Sequence, residues 1–242
     1  MTEGFTDIHQ HIVYGMDDGA KSLEESLAML KAAIRENTST IIATPHITPG
    51  VYAFDLQKFG ERLEEVKECC ARQHIPVRLL AGNEILYTDQ TCRFLEQGKA
   101  MTLAGTEYVL VEFSPNVRYE VLTDALGSVL RAGYLPVIAH VERYACLSMF
   151  PPRAKKLKER FEVRFQMNTS SVLGGKGFWM DRFCRFLLKE GLVDAVASDA
   201  HNTTTRPTRM RKAYLEIKRQ YGGGYADYLT GRGGHGFLYG EE

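Results

Sequence analysis

Short apolar runs rich in β-branched residues alternate with longer amphipathic stretches along almost the whole chain, and that alternation leaves few folds open. It encodes a strand, a helix packed back on that strand, and a second strand parallel to the first. The first run is Phe5 to His9. Ser22 to Glu36 reads as a helix, with Ser22 and Glu25 at capping-box spacing and Leu23, Leu27, Leu30 and Ile34 on one face. Thr40 to Thr44 is the next strand and Phe54 to Gln73 the next helix, with Leu56, Phe59, Leu63 and Val66 inward. Further strands fit Val77 to Ile85, Tyr108 to Phe113, Pro136 to His140, Val163 to Met167 and Asp194 to Ser198. Helices fit between and after them at Tyr119 to Ala132, Pro152 to Arg160, Trp179 to Glu190 and, last, Thr208 to Tyr221. About seven strands suffice for a closed or nearly closed (β/α) barrel, the other arrangement being an open doubly wound sheet. No fixed-period repeat and no linker divides the chain, so one unit over 1–242 is expected, its glycine-rich tail at 222–242 loosely ordered.

Thirty basic residues stand against thirty acidic ones, which argues against nucleic acid or an anionic membrane as a partner held by bulk charge. Any phosphate chemistry must then be local. No apolar run reaches the length of a signal core or a membrane span, so a cytoplasmic protein without membrane insertion is expected. The five cysteines form no C-x-x-C pair. A cysteine phosphatase needs an arginine six positions after its thiolate, and the residues there are Ile75, Pro76, Gly98, Pro152 and Glu190. Spacing excludes that mechanism.

Five of the seven histidines, His9, His11, His46, His140 and His201, fall at or just beyond the C-terminal end of an expected strand, while His74 and His235 do not. Carboxylates sit at the same places: Asp18 after the first strand, then Glu84, Glu112 and Asp199. In β/α barrels these strand ends converge on one face. A carboxylate beside an apolar run is costly to bury unless a cation compensates it. Taken singly, each of these residues reads as a solvated loop residue or a strand cap; nine of them on successive strand ends do not. That is too many donors for one ion, since a catalytic zinc takes about three protein ligands, so two or three divalent ions are expected. Nitrogen and oxygen donors without thiolate suit manganese, iron or zinc.

Phe5-Thr6-Asp7-Ile8-His9-Gln10-His11-Ile12, Asp17-Asp18-Gly19-Ala20-Lys21 and Glu25-Ser26-Leu27-Ala28-Met29 together resemble the start of a polymerase-and-histidinol-phosphatase (PHP) domain. Ile42-Ala43-Thr44-Pro45-His46, Ile138-Ala139-His140-Val141-Glu142-Arg143-Tyr144 and Ala197-Ser198-Asp199-Ala200-His201-Asn202 continue the match to about residue 220. More narrowly, the chain is similar to the manganese-dependent protein tyrosine phosphatases encoded with bacterial capsule and exopolysaccharide genes. The resemblance implies a distorted (β/α)7 barrel with its metal site at the C-terminal strand ends. It implies a first ion held by His9, His11, Glu84 and Asp199, a second bridged by Glu84 and held by Glu112 and His140, and a third held by Asp18, His46 and His201. It further implies that Arg143 and Arg206 bind the substrate phosphate, that manganese is the metal, and that the substrate is the tyrosine-rich tail of a bacterial tyrosine autokinase. Two positions depart from the family pattern: Val141 stands where proline is usual, and Ile47 where a second histidine is frequent. Altered loop shape rather than lost chemistry is expected from both.

Clustered divalent ions suit phosphate-monoester hydrolysis because they lower the pKa of a bridging water and neutralise phosphoryl oxygens during in-line displacement. Asp199 and His201 are the candidate proton donors to the leaving group, and Tyr52 and Phe54, beyond the Pro49-Gly50 turn, are candidates for a wall against the substrate ring. The competing readings are a small-molecule phosphoesterase such as a histidinol phosphatase, an amidohydrolase, and a non-catalytic, metal-stabilised adaptor. An amidohydrolase usually needs a lysine at a central strand end, where this chain has Glu84 and Glu112.

Overall fold

The structure is a computed structural model and describes residues 4–232. Nine strands lie in it: β1 (Phe5–Gln10), β2 (Thr38–Ala43), β3 (His46–Ile47), β4 (Arg78–Ala81), β5 (Glu84–Leu86), β6 (Tyr108–Glu112), β7 (Leu135–Ile138), β8 (Arg164–Asn168) and β9 (Ala195–Ala197). Three of them pair in the order β1-β2-β4 and six in the order β3-β5-β6-β7-β8-β9, every pair parallel. This is an α/β fold built on a curled parallel sheet.

The curl follows from burial on both faces. Along β6, Val109 and Val111 pack with Leu122 and Leu126 of the helix Tyr119–Arg131. Leu110, between them, joins Ile8, Ile42, Val137 and Ala197 in a separate cluster contributed by other strands. Alternate residues thus meet helices on one side and opposing strands on the other. Helices Leu23–Arg35 and Leu56–Arg72 cover β2 and β4 through Leu27, Leu30, Phe59, Leu63 and Val66.

One expected strand is broken in two and a short strand that was not expected, β3, follows another, which raises the count from about seven to nine. Thr44-Pro45 separates β2 from β3, and Gly82-Asn83 separates β4 from β5 within the span expected as one strand, Val77 to Ile85. Pro45 has no N–H to give a ladder. At Gly82 a Cβ would come within 3.1 Å of the Ile42 side chain and 3.2 Å of Leu103. Asn83 bridges the gap: its Nδ2 donates to the Pro45 carbonyl (3.0 Å) and its Oδ1 accepts from the Met101 N–H (2.9 Å). Glu84 therefore opens β5 rather than closing a strand, and its side chain turns into the interior with 1% exposed.

The two ends of the chain meet. The Asp199 N–H donates to the His9 carbonyl (2.9 Å) and the His11 N–H to the Ala200 carbonyl (3.0 Å), joining β1 to the segment after β9. Buried Asp7 accepts from the Ser198 N–H at 2.9 Å, and burial raises its carboxyl above the ordinary range. Helix boundaries differ from expectation by one or two residues. Ser22 caps the first helix, accepting from the Glu25 N–H, whereas the Glu25 carboxylate reaches back to the Lys21 N–H instead of completing the box on Ser22. The helix expected last begins at Met210 and is not the last: Gly223–Leu229 forms another, with Ala226 and Leu229 buried. Thr230 then offers its carbonyl to the Thr6 N–H at 3.0 Å, so the first part of the glycine-rich tail is ordered against β1. Residues 233–242, including His235, lie outside the described residues. Among the described residues no helix is long and apolar enough to cross a membrane.

Tyr144, fully buried, accepts from the Phe113 N–H (3.1 Å) and donates to the Ala139 carbonyl (3.0 Å), tying the end of β6 to the end of β7. Tyr144→Phe leaves that N–H unpaired in the core and is expected to lower unfolding free energy by about 1–3 kcal/mol in urea denaturation. An unchanged midpoint would contradict this account of the junction.

Candidate metal centre

His9 and His11 lie two residues apart at the end of β1, so their rings leave on the same side of the strand. Each has one nitrogen committed. His9 Nδ1 is 3.1 Å from Gln166 Oε1, an acceptor only, and His11 Nδ1 is 2.6 Å from Asp17 Oδ2. Both Nδ1 atoms therefore carry the proton, and the Nε2 lone pairs point inward. Those two Nε2 atoms are 3.3 Å apart. They face Glu84 Oε2 at 3.0 and 3.2 Å and Asp199 Oδ1 at 3.5 Å each. Four buried acceptors aimed at one another are unfavourable without a cation between them.

His46 Nδ1 comes within 3.1 Å of the same Glu84 oxygen and 3.2 Å of Glu112 Oε1. His140 Nε2 is 2.8 Å from Glu84 Oε1 and 3.5 Å from Glu112 Oε2. At the rim, Asp18 Oδ1 lies 3.5 Å from His46 Nε2 and 3.2 Å from His201 Nε2. The donor atoms fall into three sets, each with all its atoms within 4.8 Å of one another: His9, His11, Glu84 and Asp199; His46, Glu84 and Glu112; and His11, Asp18, His46 and His201. Among the buried side-chain atoms without a hydrogen-bond partner are Glu84 Oε2 and His201 Nε2, the atoms a cation would engage. The donor chemistry fits two or three divalent ions. All nine residues named from the sequence are brought together, while His74 sits exposed past the end of the helix Leu56–Arg72. The sets differ from the expected grouping in two respects: His46 also faces the Glu84–Glu112 pair, and His11 also faces the rim group.

Three residues that orient these donors were not singled out from the sequence. Asp17 accepts from His11 Nδ1, from the Gly19 N–H (2.8 Å) and from the His46 N–H (3.0 Å), and although burial opposes it, His11 holds its carboxyl far below the ordinary range. The turn needs Gly19, where a Cβ would fall 2.3 Å from the His11 carbonyl oxygen. On β8, Gln166 Oε1 accepts from both His9 Nδ1 and the His140 N–H (2.8 Å). Gln166 Nε2 donates to Asn168 Oδ1 (2.9 Å), and Asn168 Nδ2 donates to Asp199 Oδ2 (2.7 Å). A signal existed: Gln166, within the expected strand Val163 to Met167, and Asn168 just past it alternate with Phe165 and Met167, so the polar pair shares one face and, once buried, must meet something polar.

His140 (φ 33°) and Asp199 (φ 51°) both adopt the left-handed backbone region, which costs a residue with a Cβ about 1–2 kcal/mol. Each lies two positions beyond the last residue of its strand, Ile138 of β7 and Ala197 of β9. Arg143 and Arg206 fork onto Asp199, Nη2 to Oδ2 at 2.8 Å and Nη2 to Oδ1 at 2.9 Å, with 37% and 39% of their side chains exposed. Asn202 shapes the Arg206 loop, its Oδ1 accepting from the N–H groups of Thr204, Thr205 and Arg206.

The surroundings of the two expected proton donors work against that role. Burial opposes ionisation of Asp199, but His9 and His11, with hydrogen bonds from both arginines and Asn168, hold it far below the carboxylate range. Burial, then His11, lowers His201 to about 4, and its Nδ1 proton is committed to the Asp199 carbonyl at 3.0 Å. Neither has a proton to spare near neutrality. Of the candidate ring wall, Tyr52 is 73% exposed, whereas Phe54 packs on Phe59 with ring centroids 5.8 Å apart. Val141 and Ile47, the two departures from the family pattern, are both buried in the core.

A sequence profile for capsular polysaccharide synthesis proteins of the CpsB/CapC type matches residues 5–237. The tyrosine-protein phosphatase CpsB of Streptococcus pneumoniae is 36% identical over 221 residues, covering 89% of this chain and 90% of that protein. The tyrosine-protein phosphatase YwqE of Bacillus subtilis is 32% identical over 224 residues, covering 93% and 88%. A chain from the crystal structures of YwqE and CpsB, described as unique metal-dependent tyrosine phosphatases, superposes with a TM-score of 0.86 at 32% identity, covering 93% of this chain and 91% of its own. The histidinol phosphate phosphatase of Lactococcus lactis, solved with zinc, L-histidinol and phosphate, superposes at 0.57 with 12% identity, covering 93% and 94%, and shares the fold alone.

Without metal, protons take the cation's place. Burial opposes it, but Glu112 and Glu84 raise His140 to about 9, and neighbouring carboxylates likewise raise His11 and His46. An unfolded imidazole loses its proton near 6.5, so between there and about 9 the folded state holds more protons and its stability falls as pH rises. The thermal midpoint of the chelated protein is expected to drop over that window, while the midpoint gained on adding manganese grows, because metal and proton compete for the same nitrogens. A chelated midpoint that rises with pH would contradict the assignment.

Proposed function

Since this chain belongs to the CpsB/CapC family of capsular polysaccharide synthesis proteins, we propose that it is a metal-dependent phosphatase that hydrolyses phosphotyrosine in protein substrates. The observation that carries this reading is the position of two half-exposed arginines directly against Asp199, at the edge of a buried nest of imidazole and carboxylate donors. Manganese is the metal proposed, with iron and zinc compatible with the same donors. His9, His11, Glu84 and Asp199 would hold one ion; Glu84, Glu112 and His140, joined by His46, a second; and Asp18, His46 and His201 a third. When bound, such cations supply a nucleophile at neutral pH and neutralise charge on the phosphoryl oxygens.

The chain's own residues supply the rest. Arg143 and Arg206 grip phosphate oxygens through planar guanidinium forks, and Asp199 fixes the direction of both. Asp17 and Gln166 fix the tautomers of His11 and His9 by accepting from the outer nitrogens, which leaves the inner lone pairs to face a cation. With the Asp199 carboxylate bound by two guanidinium groups and the His201 Nδ1 facing the Asp199 carbonyl, the tyrosyl oxygen would depart as the phenolate, whose pKa of about 10 makes protonation less necessary than for an alkoxide.

The curled sheet is read here as seven staves, β2 continuing into β3 and β4 into β5, with β9 returning to β1, so that the metal site lies at the C-terminal ends of a distorted (β/α)7 barrel in a single catalytic unit over 1–242. The tail of a bacterial tyrosine autokinase is the proposed substrate, met in the cytoplasm. A small-molecule phosphoesterase remains the second reading because the histidinol phosphate phosphatase shares the fold.

Metal analysis of the purified protein, with hydrolysis of a phosphotyrosyl peptide and of histidinol phosphate before and after chelation, tests the proposal. Turnover of the peptide is expected to vanish with the metal and return with manganese. Activity surviving complete metal removal defeats the mechanism, and preference for histidinol phosphate defeats the substrate. Arg143→Ala is expected to retain bound metal while losing about 100-fold or more in kcat/KM. His140→Ala is expected to abolish turnover, and His74→Asn to leave it within about twofold.

A further inference from the structure

The two phosphate-binding arginines do not stand alone. They share a cleft of about 300 Å³ with Lys176 and Arg209, and Asp199 is its one carboxylate-bearing lining residue. Asp199 is already matched by Arg143 and Arg206. Lys176 and Arg209 are exposed, and among the described residues no carboxylate pairs with either. In a chain of zero net charge, this cleft therefore carries a local excess of positive charge beyond what one phosphate site uses.

The loop that presents Lys176 is built for its position. Gly174, Gly175 and Gly177 have φ of 76°, 81° and 104°, a region other residues rarely adopt. A Cβ on Gly175 or Gly177 would meet nothing within 4 Å, so the backbone path and not crowding selects glycine there. Asp181, on the helix Phe178–Lys189, clamps the loop by accepting from the Gly175 and Lys176 N–H groups at 3.1 Å each. Its oxygens are occupied by the backbone behind the lysine. Arg209 approaches from the start of the helix Met210–Tyr221.

We propose that the Lys176–Arg209 end of the cleft is a second anionic subsite, which binds another negatively charged group on the same substrate chain as the phosphotyrosine: an acidic side chain or a second phosphate. This rests on the phosphotyrosine reading above and specifies the kind of chain that fits. An extended peptide advances about 3.3 Å per residue, so a group within a few positions of the phosphotyrosine reaches along a cleft of this size. Long-range attraction between exposed charges weakens with salt, which gives the subsite a signature that shape alone lacks.

The test measures binding to the manganese-loaded protein by fluorescence anisotropy. The probes are peptides carrying a non-hydrolysable phosphonate in place of phosphotyrosine, flanked by glutamate, by a second phosphonate, or by glutamine. Wild type is expected to bind the glutamate or bis-phosphonate peptide about fivefold more tightly than the glutamine one at low ionic strength, with the ratio shrinking in high salt. K176Q/R209Q is expected to bring the ratio close to one, while K176R/R209K and the exposed outlying variant K155Q keep it. Tightening by the second phosphonate alone identifies phosphate as the ligand; tightening by glutamate as well identifies any anion. A wild type without preference, or a preference that survives K176Q/R209Q, overturns the subsite. Hydrolysis of free phosphotyrosine, followed in parallel, reports on the phosphatase reading separately, because the binding ratio needs no turnover.

Discussion

Glu84 is the point on which the architecture turns. One of its oxygens faces three imidazoles, from His9, His11 and His46, at 3.0 to 3.2 Å, and it does so from the interior. Two of those imidazoles have their protons drawn away on the far side, by Gln166 and Asp17. Lone pairs brought together in this manner are tolerable only around positive charge, whether a divalent ion or, in its absence, added protons. Much else near the site follows from assembling that arrangement: the break at Gly82-Asn83 that turns Glu84 inward, the left-handed backbone at His140 and Asp199, and the amide relay from Gln166 through Asn168 to Asp199.

A polypeptide with balanced charge can handle a dianionic group only by separating its charges locally. Here most of the carboxylates and imidazoles are buried under the strand ends, with Asp18 exposed at the rim, and the guanidinium groups are held by Asp199 and still open to solvent. Asp18 at the rim lies 3.6 Å from Arg206, and Asp199 joins the two layers. That gives Asp199 an unusually crowded set of donors and explains why it stays ionised despite burial.

Much of the fold was legible because its period is simple. The helix Pro152–Arg160 falls where the sequence puts it, and the strands begin and end within two residues of expectation except where they are broken. The break was signalled by Gly82-Asn83, a turn-forming pair inside Val77 to Ile85, but the apolar residues on either side read as one strand, and the Asn83 contacts to Pro45 and Met101 show two. The helix Gly223–Leu229 was hidden by its glycines, and tertiary burial of Ala226 and Leu229 overrides their poor helix propensity. At the site, the putting together of nine donors could be read from histidines and acids at strand ends. Asp17 was obscured by its neighbour Asp18, and Gln166 and Asn168 by belonging to residue types that carry no charge. The hydrogen bonds already made by Asp199 and His201, which weigh against a proton-donor role, do not show in the sequence.

The union of β1 with the segment after β9 has a consequence for biosynthesis. Residues 9 and 11 leave the ribosome long before their partner at 199 and the arginine at 206. Contacts so distant along the chain form late in folding. A nascent or truncated polypeptide lacking Asp199 and Arg206 would display imidazoles and acids able to scavenge ions but only half of the arginine pair, so hydrolytic competence arrives in one step, when that segment joins β1.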